Sequence, residues 1–153
     1  YNYGTILAQP SKHCNFTGGI IGYIMNHNYE TTLNGCINHG EVIGNANSQT
    51  ESHTGGLIGK IDPCSCKVHQ CLNAGNVSVI TETPENQNIF IGSYIGFISD
   101  PQLSLIYNCC STAPEVVIKD TKGETIPTAS PTFYIGSGHP LTACPDSHTA
   151  QHN

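Results

Sequence analysis

The sequence predicts an all-β protein, a parallel β-solenoid (β-helix) of three to four coils of about 37 residues each. Three observations lead there. A glycine signature recurs: Thr17-Gly18-Gly19-Ile20-Ile21-Gly22, Thr54-Gly55-Gly56-Leu57-Ile58-Gly59 and Ile91-Gly92-Ser93-Tyr94-Ile95-Gly96, each 37 residues after the one before. A cysteine signature alternates with it: Cys36-Ile37-Asn38-His39-Gly40-Glu41-Val42, then Cys71-Leu72-Asn73-Ala74-Gly75-Asn76-Val77. The apolar runs between them are short and β-branched, and none has a helical period. Two signatures repeating in step mark a repeat architecture.

The elements follow in order. Asn2-Tyr3-Gly4-Thr5-Ile6 is the back half of a cysteine signature, and Cys109-Cys110-Ser111 is a weakened later copy. Ile135-Gly136-Ser137 is a degraded fourth glycine signature. Ile24, Ile61 and Ile98 follow the last glycine of each copy at one offset, and Leu33, Val68 and Ile106 precede each cysteine at another. Val42 and Val77 align after their cysteines, and Val116 joins them after a shift of one residue. Gly, Pro, Asn and Asp punctuate these runs as turns require.

Each coil is expected to lay down about three short strands, stacked about 4.8 Å apart on the coil below. Ile58 would then lie between Ile21 and Ile95. Asn38 and Asn73 would form an internal amide ladder, each side chain bonding its neighbour. The glycines suit tight corners or the close approach of coils. One repeat cannot bury its apolar face alone, so several must stack.

The repeats span residues 1–118, and residues 119–153 read as a C-terminal capping or joining segment with a tail. Asp120-Thr121-Lys122-Gly123-Glu124 reads as a turn. Pro127, Pro131, Pro140 and Pro145 then interrupt any ladder, because proline cannot donate to it. Within Thr132-Phe133-Tyr134-Ile135-Gly136, the residues Phe133, Tyr134 and Ile135 form a candidate assembly strand. It would seal its own solenoid or add to the first coil of a neighbour.

Composition narrows the function. Only 10% of residues are charged, against about 25% in an average soluble chain. The net charge is −6 with five Lys plus Arg, so no basic patch exists to neutralise phosphates, and nucleic acid is not expected as a partner. No apolar run approaches the roughly 20 residues that span a bilayer, so membrane insertion is not expected. The chain begins inside a repeat, which reads as a processed or partial product. Eight cysteines and the sequons Asn15-Phe16-Thr17 and Asn76-Val77-Ser78 favour an extracellular or cell-surface location. Asn15 and Asn76 are the N-glycosylation candidates, expected to point outward at corners beside an outward Ser78.

The glycine and cysteine signatures together resemble the GLUG-motif repeat family. The resemblance rests on Thr-Gly-Gly-Leu-Ile-Gly and Cys-Leu-Asn-Ala-Gly-Asn-Val, covers residues 1–118 and fades beyond. It implies a β-solenoid of a microbial surface or secreted protein, adhesin-like, and it carries no catalytic residue. The third copy departs from the pattern, with Ser93 for a glycine and Ser111 for the asparagine, which suggests that the solenoid is ending there.

The residues that carry chemistry read mainly as structural. Cys14, Cys36, Cys64, Cys66, Cys71, Cys109, Cys110 and Cys144 are all disulfide candidates, with connectivity open. Cys36, Cys71 and Cys109 would be neighbours up the stack, and Cys64 and Cys66, if extended, would face opposite ways. Cys64, Cys66, His69 and Cys71 have the flavour of a zinc site but lack its spacing, so no metal is expected. Asp62-Pro63 and Asp100-Pro101 could pair two carboxylates for sugar chemistry or calcium, but Asp-Pro more simply starts a turn. No nucleophile elbow, phosphate loop or metalloprotease helix occurs.

The leading expectation is therefore a non-enzymatic structural or adhesive element without catalytic residues or cofactor. It would be a stalk segment or a filament subunit that self-associates end to end, or it would meet a host or environmental surface. The competing expectation is a carbohydrate-binding or carbohydrate-cleaving module, with Tyr94 and Tyr107 stacking on glycans.

Overall fold

The computed structural model describes residues 1–25, 29–47, 50–83, 88–113 and 115–127. The described chain is a parallel β-solenoid. A partial first turn holds β1 (Ile6–Leu7). The first full coil holds β2 (Asn15–Gly18), β3 (Ile21–Ile24), β4 (Thr31–Asn34), β5 (Ile37–Asn38) and β6 (Val42–Ala46). The second holds β7 (Ser52–Gly55), β8 (Ile58–Ile61), β9 (Cys66–His69), β10 (Leu72–Asn73) and β11 (Val77–Thr81). The third holds β12 (Ile89–Gly92), β13 (Ile95–Ile98), a 3-10 turn at Pro101–Leu103, β14 (Ser104–Tyr107), β15 (Cys110–Ser111) and β16 (Val116–Asp120). The last strand, β17 (Thr125–Ile126), turns back antiparallel on β16.

Each coil therefore has five strands rather than the expected three. The apolar runs alone do not reveal the extra corners. One sits at the second glycine of the first two signatures and at Ser93 in the third. Another sits at the residue before each ladder cysteine, where Gly35, Gln70 and Asn108 all take the left-handed conformation, with φ of 65°, 55° and 53°. A third follows Asn38 and Asn73, whose side chains bond the carbonyls of Gly40 and Gly75 two residues on. Each corner divides a run that reads as continuous in the sequence.

Five sheets result, and the four core-facing ladders pair in the expected register. Ile58 lies between Ile21 and Ile95, and Ile61 between Ile24 and Ile98. Val68 lies between Leu33 and Ile106, and Val77 between Val42 and Val116. The shift before Val116 is real: one more residue separates Cys109 from Val116 than Cys71 from Val77. Leu57, Ile58, Ile61, Val68 and Ile95 are fully buried, and together with Tyr94 and the buried thiols they form one continuous core.

A polar chain runs up the interior. Asn2 Nδ2 donates to Asn38 Oδ1 at 2.7 Å, and Asn38 Nδ2 donates to Asn73 Oδ1 at 2.8 Å. Asn73 Nδ2 donates in turn to the Ser93 carbonyl at 2.7 Å. Every amide donates in the same axial direction, so each bond polarises the next. A Cβ at Gly19 would stand 2.6 Å from Asn38 Cγ, and one at Gly56 would overlap Asn73. Glycine is required there because the amide chain fills the space.

The turn at 120–124 forms as read. The Asp120 carboxylate accepts from the Lys122 and Glu124 amides, both at 2.8 Å, and Gly123 has φ of 85°. Among the described residues no further parallel strand stacks on β16, and β17 pairs with its outer edge.

Two outcomes test this account. Asn73→Ala removes three hydrogen bonds from a fully buried position and should cost about 3 kcal/mol in urea unfolding, whereas Asn2→Ala, at the open end, should cost under about 1 kcal/mol. Gln70→Gly relieves a left-handed glutamine and should raise stability by up to about 1 kcal/mol, read as a higher melting temperature.

Candidate functional site

The sequence-predicted residues scatter over three environments. Cys64, Cys66 and Cys71 are buried in the core, Cys36 and Cys109 are half-buried, and Cys14 and Cys110 are exposed. None of these seven is bridged. Cys144 and the assembly strand Phe133, Tyr134 and Ile135 lie outside the described residues. Cys64 and Cys66 do not face opposite ways, because Cys64 sits in a bend before β9 and both thiols turn inward. Burial pushes the Cys66 thiol up to about 11. His69 does not join these cysteines: its ring lies flat on Tyr107, on the opposite face of β9 from Cys66 and Val68. The zinc-like set thus fails to converge, because strand alternation splits it.

The carbohydrate candidates are also divided. Tyr94 is 2% exposed, inside the core, and its hydroxyl donates to the Cys71 carbonyl. Asp100 caps its own turn through the Gln102 amide at 3.0 Å. Asp62 lies in register with Ser99, not Asp100, and accepts from Ser99 Oγ at 3.1 Å. The two carboxylates are held by separate local partners.

The sequons are less open than expected. Asn15 is half-buried and its amide donates to the Asn45 carbonyl at 2.8 Å. Asn76 Oδ1 is covered and without a hydrogen-bond partner. Ser78 is on the face opposite Val77 and Val79 as expected, yet it is only 3% exposed, a small side chain between Ile43 and Val117 in register. A glycan on Asn15 requires the bond to Asn45 to open.

An outer aromatic corner was not anticipated. Phe16, His53 and Phe90 pair in register on β2, β7 and β12, and Tyr23, Lys60 and Phe97 pair on β3, β8 and β13. The corner between these two sheets brings the ladders together. Phe16 stacks on Tyr23 at 4.6 Å, and His53 is sandwiched between Phe16 at 5.3 Å and Phe90 at 4.7 Å. Lys60 Nζ lies over Phe16, Tyr23 and Phe97, 5.3 to 5.9 Å from the ring centres. It also pairs with Asp62 at 3.0 Å. The signal for this cluster was in the sequence, at the residue before each Thr-Gly or Ile-Gly and the residue after each last glycine.

Electrostatics at this corner are tightly set. Burial alone would raise the Asp62 carboxyl, but hydrogen bonds from Tyr23, Lys60 and Ser99 outweigh it and hold it below the usual range. The bond to Asp62, together with burial, pushes the Tyr23 hydroxyl up to about 12. His53 is 1% exposed, and burial, helped by Lys60 and opposed by Asp62, lowers it to about 4. Its Nδ1 has no partner, and Nε2 lies 3.6 Å from the Glu51 carboxylate.

The inner corner carries the thiol ladder. Cys71 pairs with Cys36 below and Cys109 above, since Leu72 N bonds the Cys36 carbonyl at 2.9 Å and Cys110 N bonds the Cys71 carbonyl at 3.0 Å. Each left-handed residue before a cysteine turns the chain so that the thiol meets the core.

The two ends of the described rod differ. β2, β3 and β4 form one edge, and among the described residues no strand pairs with them from below. A Cβ at Gly59 or Gly96 would overlap the carbonyl of Gly22 or would stand 2.5 Å from that of Gly59, respectively, in the coil beneath. Gly22 holds the equivalent place in the first coil, where a Cβ would already stand 2.6 Å from the Phe16 carbonyl of its own coil. At the other end, a Cβ at Gly19 or Gly56 would overlap the carbonyl of Gly56 or Ser93 in the coil above. Ser93 holds that place in the third coil and carries a Cβ. A further coil of the same geometry does not fit over it.

Fold and ladders define the class, a parallel β-solenoid. No family model, curated protein or solved structure matches the chain.

The buried histidine sets a pH dependence. Its folded pKa lies below its unfolded value of 6.5, so its contribution is complete above pH 6.5 and is lost as pH falls toward 4. The loss should be on the order of 2 kcal/mol, seen as a falling urea midpoint across that window. His53→Phe, which keeps the ring stack between Phe16 and Phe90, should flatten that slope.

Proposed function

We propose that this chain is a non-enzymatic structural or adhesive repeat element of a cell surface or the extracellular space, a rigid rod open to pairing at one end only. The observation that carries the reading is the asymmetry of the two ends: among the described residues the edge of β2, β3 and β4 is unpaired, while Ser93 carries a Cβ where Gly19 and Gly56 meet the coil above. An unpaired strand edge is a template for another chain. Main-chain pairing along that edge supplies affinity, and the cleft beside it, lined by Ile6, Ala8, Asn15, Thr17 and Gly22, receives side chains.

The partner is solenoid-like: a preceding coil of a longer chain, or a strand of a second copy. The separate engagement of Asp62 and Asp100 and the burial of Tyr94 weigh against the carbohydrate reading. The resemblance to GLUG-motif repeats supports a surface role, and the cysteine count with the two sequons supports an extracellular one.

Sedimentation and negative-stain microscopy over a range of concentrations test this. The chain should associate, and hydrogen exchange in β2, β3 and β4 should slow when it does. In Ser93→Gly, both ends accept a coil and the assemblies should lengthen. A strict monomer with unprotected β2, β3 and β4 at every concentration refutes the assembly reading.

A further inference from the structure

The thiol ladder carries chemistry that a purely structural reading does not use. Cys36, Cys71 and Cys109 stack in register at one corner, on consecutive coils. Each sulfur leans toward a carbonyl: Cys36 Sγ to Asn34 O at 3.8 Å, Cys71 Sγ to Leu33 O at 3.9 Å and His69 O at 3.2 Å, and Cys109 Sγ to Val68 O at 3.5 Å. The Val68 carbonyl belongs to the coil that holds Cys71, so the Cys109 sulfur leans down toward it. In-register residues on adjacent parallel strands lie about 4.8 Å apart, within the roughly 4.4–6.8 Å that a disulfide spans between Cα atoms.

We propose that Cys109 and Cys71 form a thiol–disulfide exchange site, with Cys109 as the attacking sulfur, Cys71 as the resolving one, and a low-molecular-weight disulfide such as oxidised glutathione as the co-reactant. The roles follow from access. Cys71 is buried, and Cys109 is half-buried and reachable from solvent. The neighbouring Cys71 thiol, followed by the Tyr94 hydroxyl, holds the Cys109 thiol below its usual range despite burial, and Cys71 is raised. The thiolate is the nucleophile in such exchange.

The step balances. The Cys109 thiolate attacks one sulfur of oxidised glutathione, forming a mixed disulfide and releasing one glutathione thiolate, which takes up a proton. Cys71 then loses its proton and attacks the Cys109 sulfur, releasing the second glutathione. The two protein thiols are oxidised by two electrons and the small disulfide is reduced by two. The product ties the second coil to the third directly across the ladder and constrains the unfolded chain.

Peptide mapping of the intact folded chain after exposure to oxidised glutathione tests the assignment. The expected product is a Cys71–Cys109 cross-link, a mass lower by two hydrogens, and a raised melting temperature that falls again on reduction. Cys71→Ser should stop halfway, with glutathione retained on Cys109, and Cys109→Ser should give neither adduct nor cross-link at Cys71. Cys36→Ser should behave as the parent chain. Limited alkylation at low pH should label Cys109 before exposed Cys14. A cross-link of Cys71 to Cys36, or a Cys109 that alkylates no faster than Cys14, overturns the proposal. This result is independent of assembly, so the two readings fail separately.

Discussion

The amide chain from Asn2 through Asn38 and Asn73 to the Ser93 carbonyl is the constraint on which the rest of the solenoid depends. A buried amide is costly unless every donor and acceptor is met. Here each is met only if the coils stack in one register. A slip by one residue would leave two fully buried amides unpaired and would move every core residue to the outer face. Ladders of isoleucine and valine alone tolerate such a slip more readily, because dispersion contacts are not directional. The polar chain thus selects the register, and the apolar ladders supply most of the burial.

That one chain accounts for the composition of the corners. Gly19 and Gly56 have no room for a Cβ beside the amides or beneath the coil above. The third coil changes both members at once, with Ser93 in place of the glycine and Ser111 in place of the asparagine. With no amide above Asn73 to pack against and no described coil on top, the reason for glycine is gone. Within the described residues the repeat thus changes at the same site that propagates it, and the chain then turns back through β17.

The outer corner is a second, smaller solution to the same problem. Side chains pointing away from the core are usually left to solvent. Here two outward ladders fold against each other, and His53 and Lys60 occupy the middle coil between aromatic neighbours above and below. The imidazole of His53 remains neutral chiefly because it is buried; the nearby Lys60 ammonium adds to this and the Asp62 carboxylate opposes it. The corner joins the coils from outside as the amide chain joins them from within.

Spacing along the chain was enough to determine the period, the parallel stacking, the partners of Ile58, Val68 and Val77, the amide ladder and the turn at 120–124. Each of these depends on which residues recur at which offset, and a stacked coil converts offset directly into contact. Tertiary structure alone decided how each coil bends. The left-handed Gln70 and Asn108 carry no glycine to announce them, so five strands read as three. Corner direction also put Tyr94 inside, turned Cys64 and Cys66 the same way and closed the aromatic corner. Those outcomes depend on the angle between neighbouring strands, which a linear repeat does not encode, because a single backbone conformation at a corner redirects every side chain that follows it.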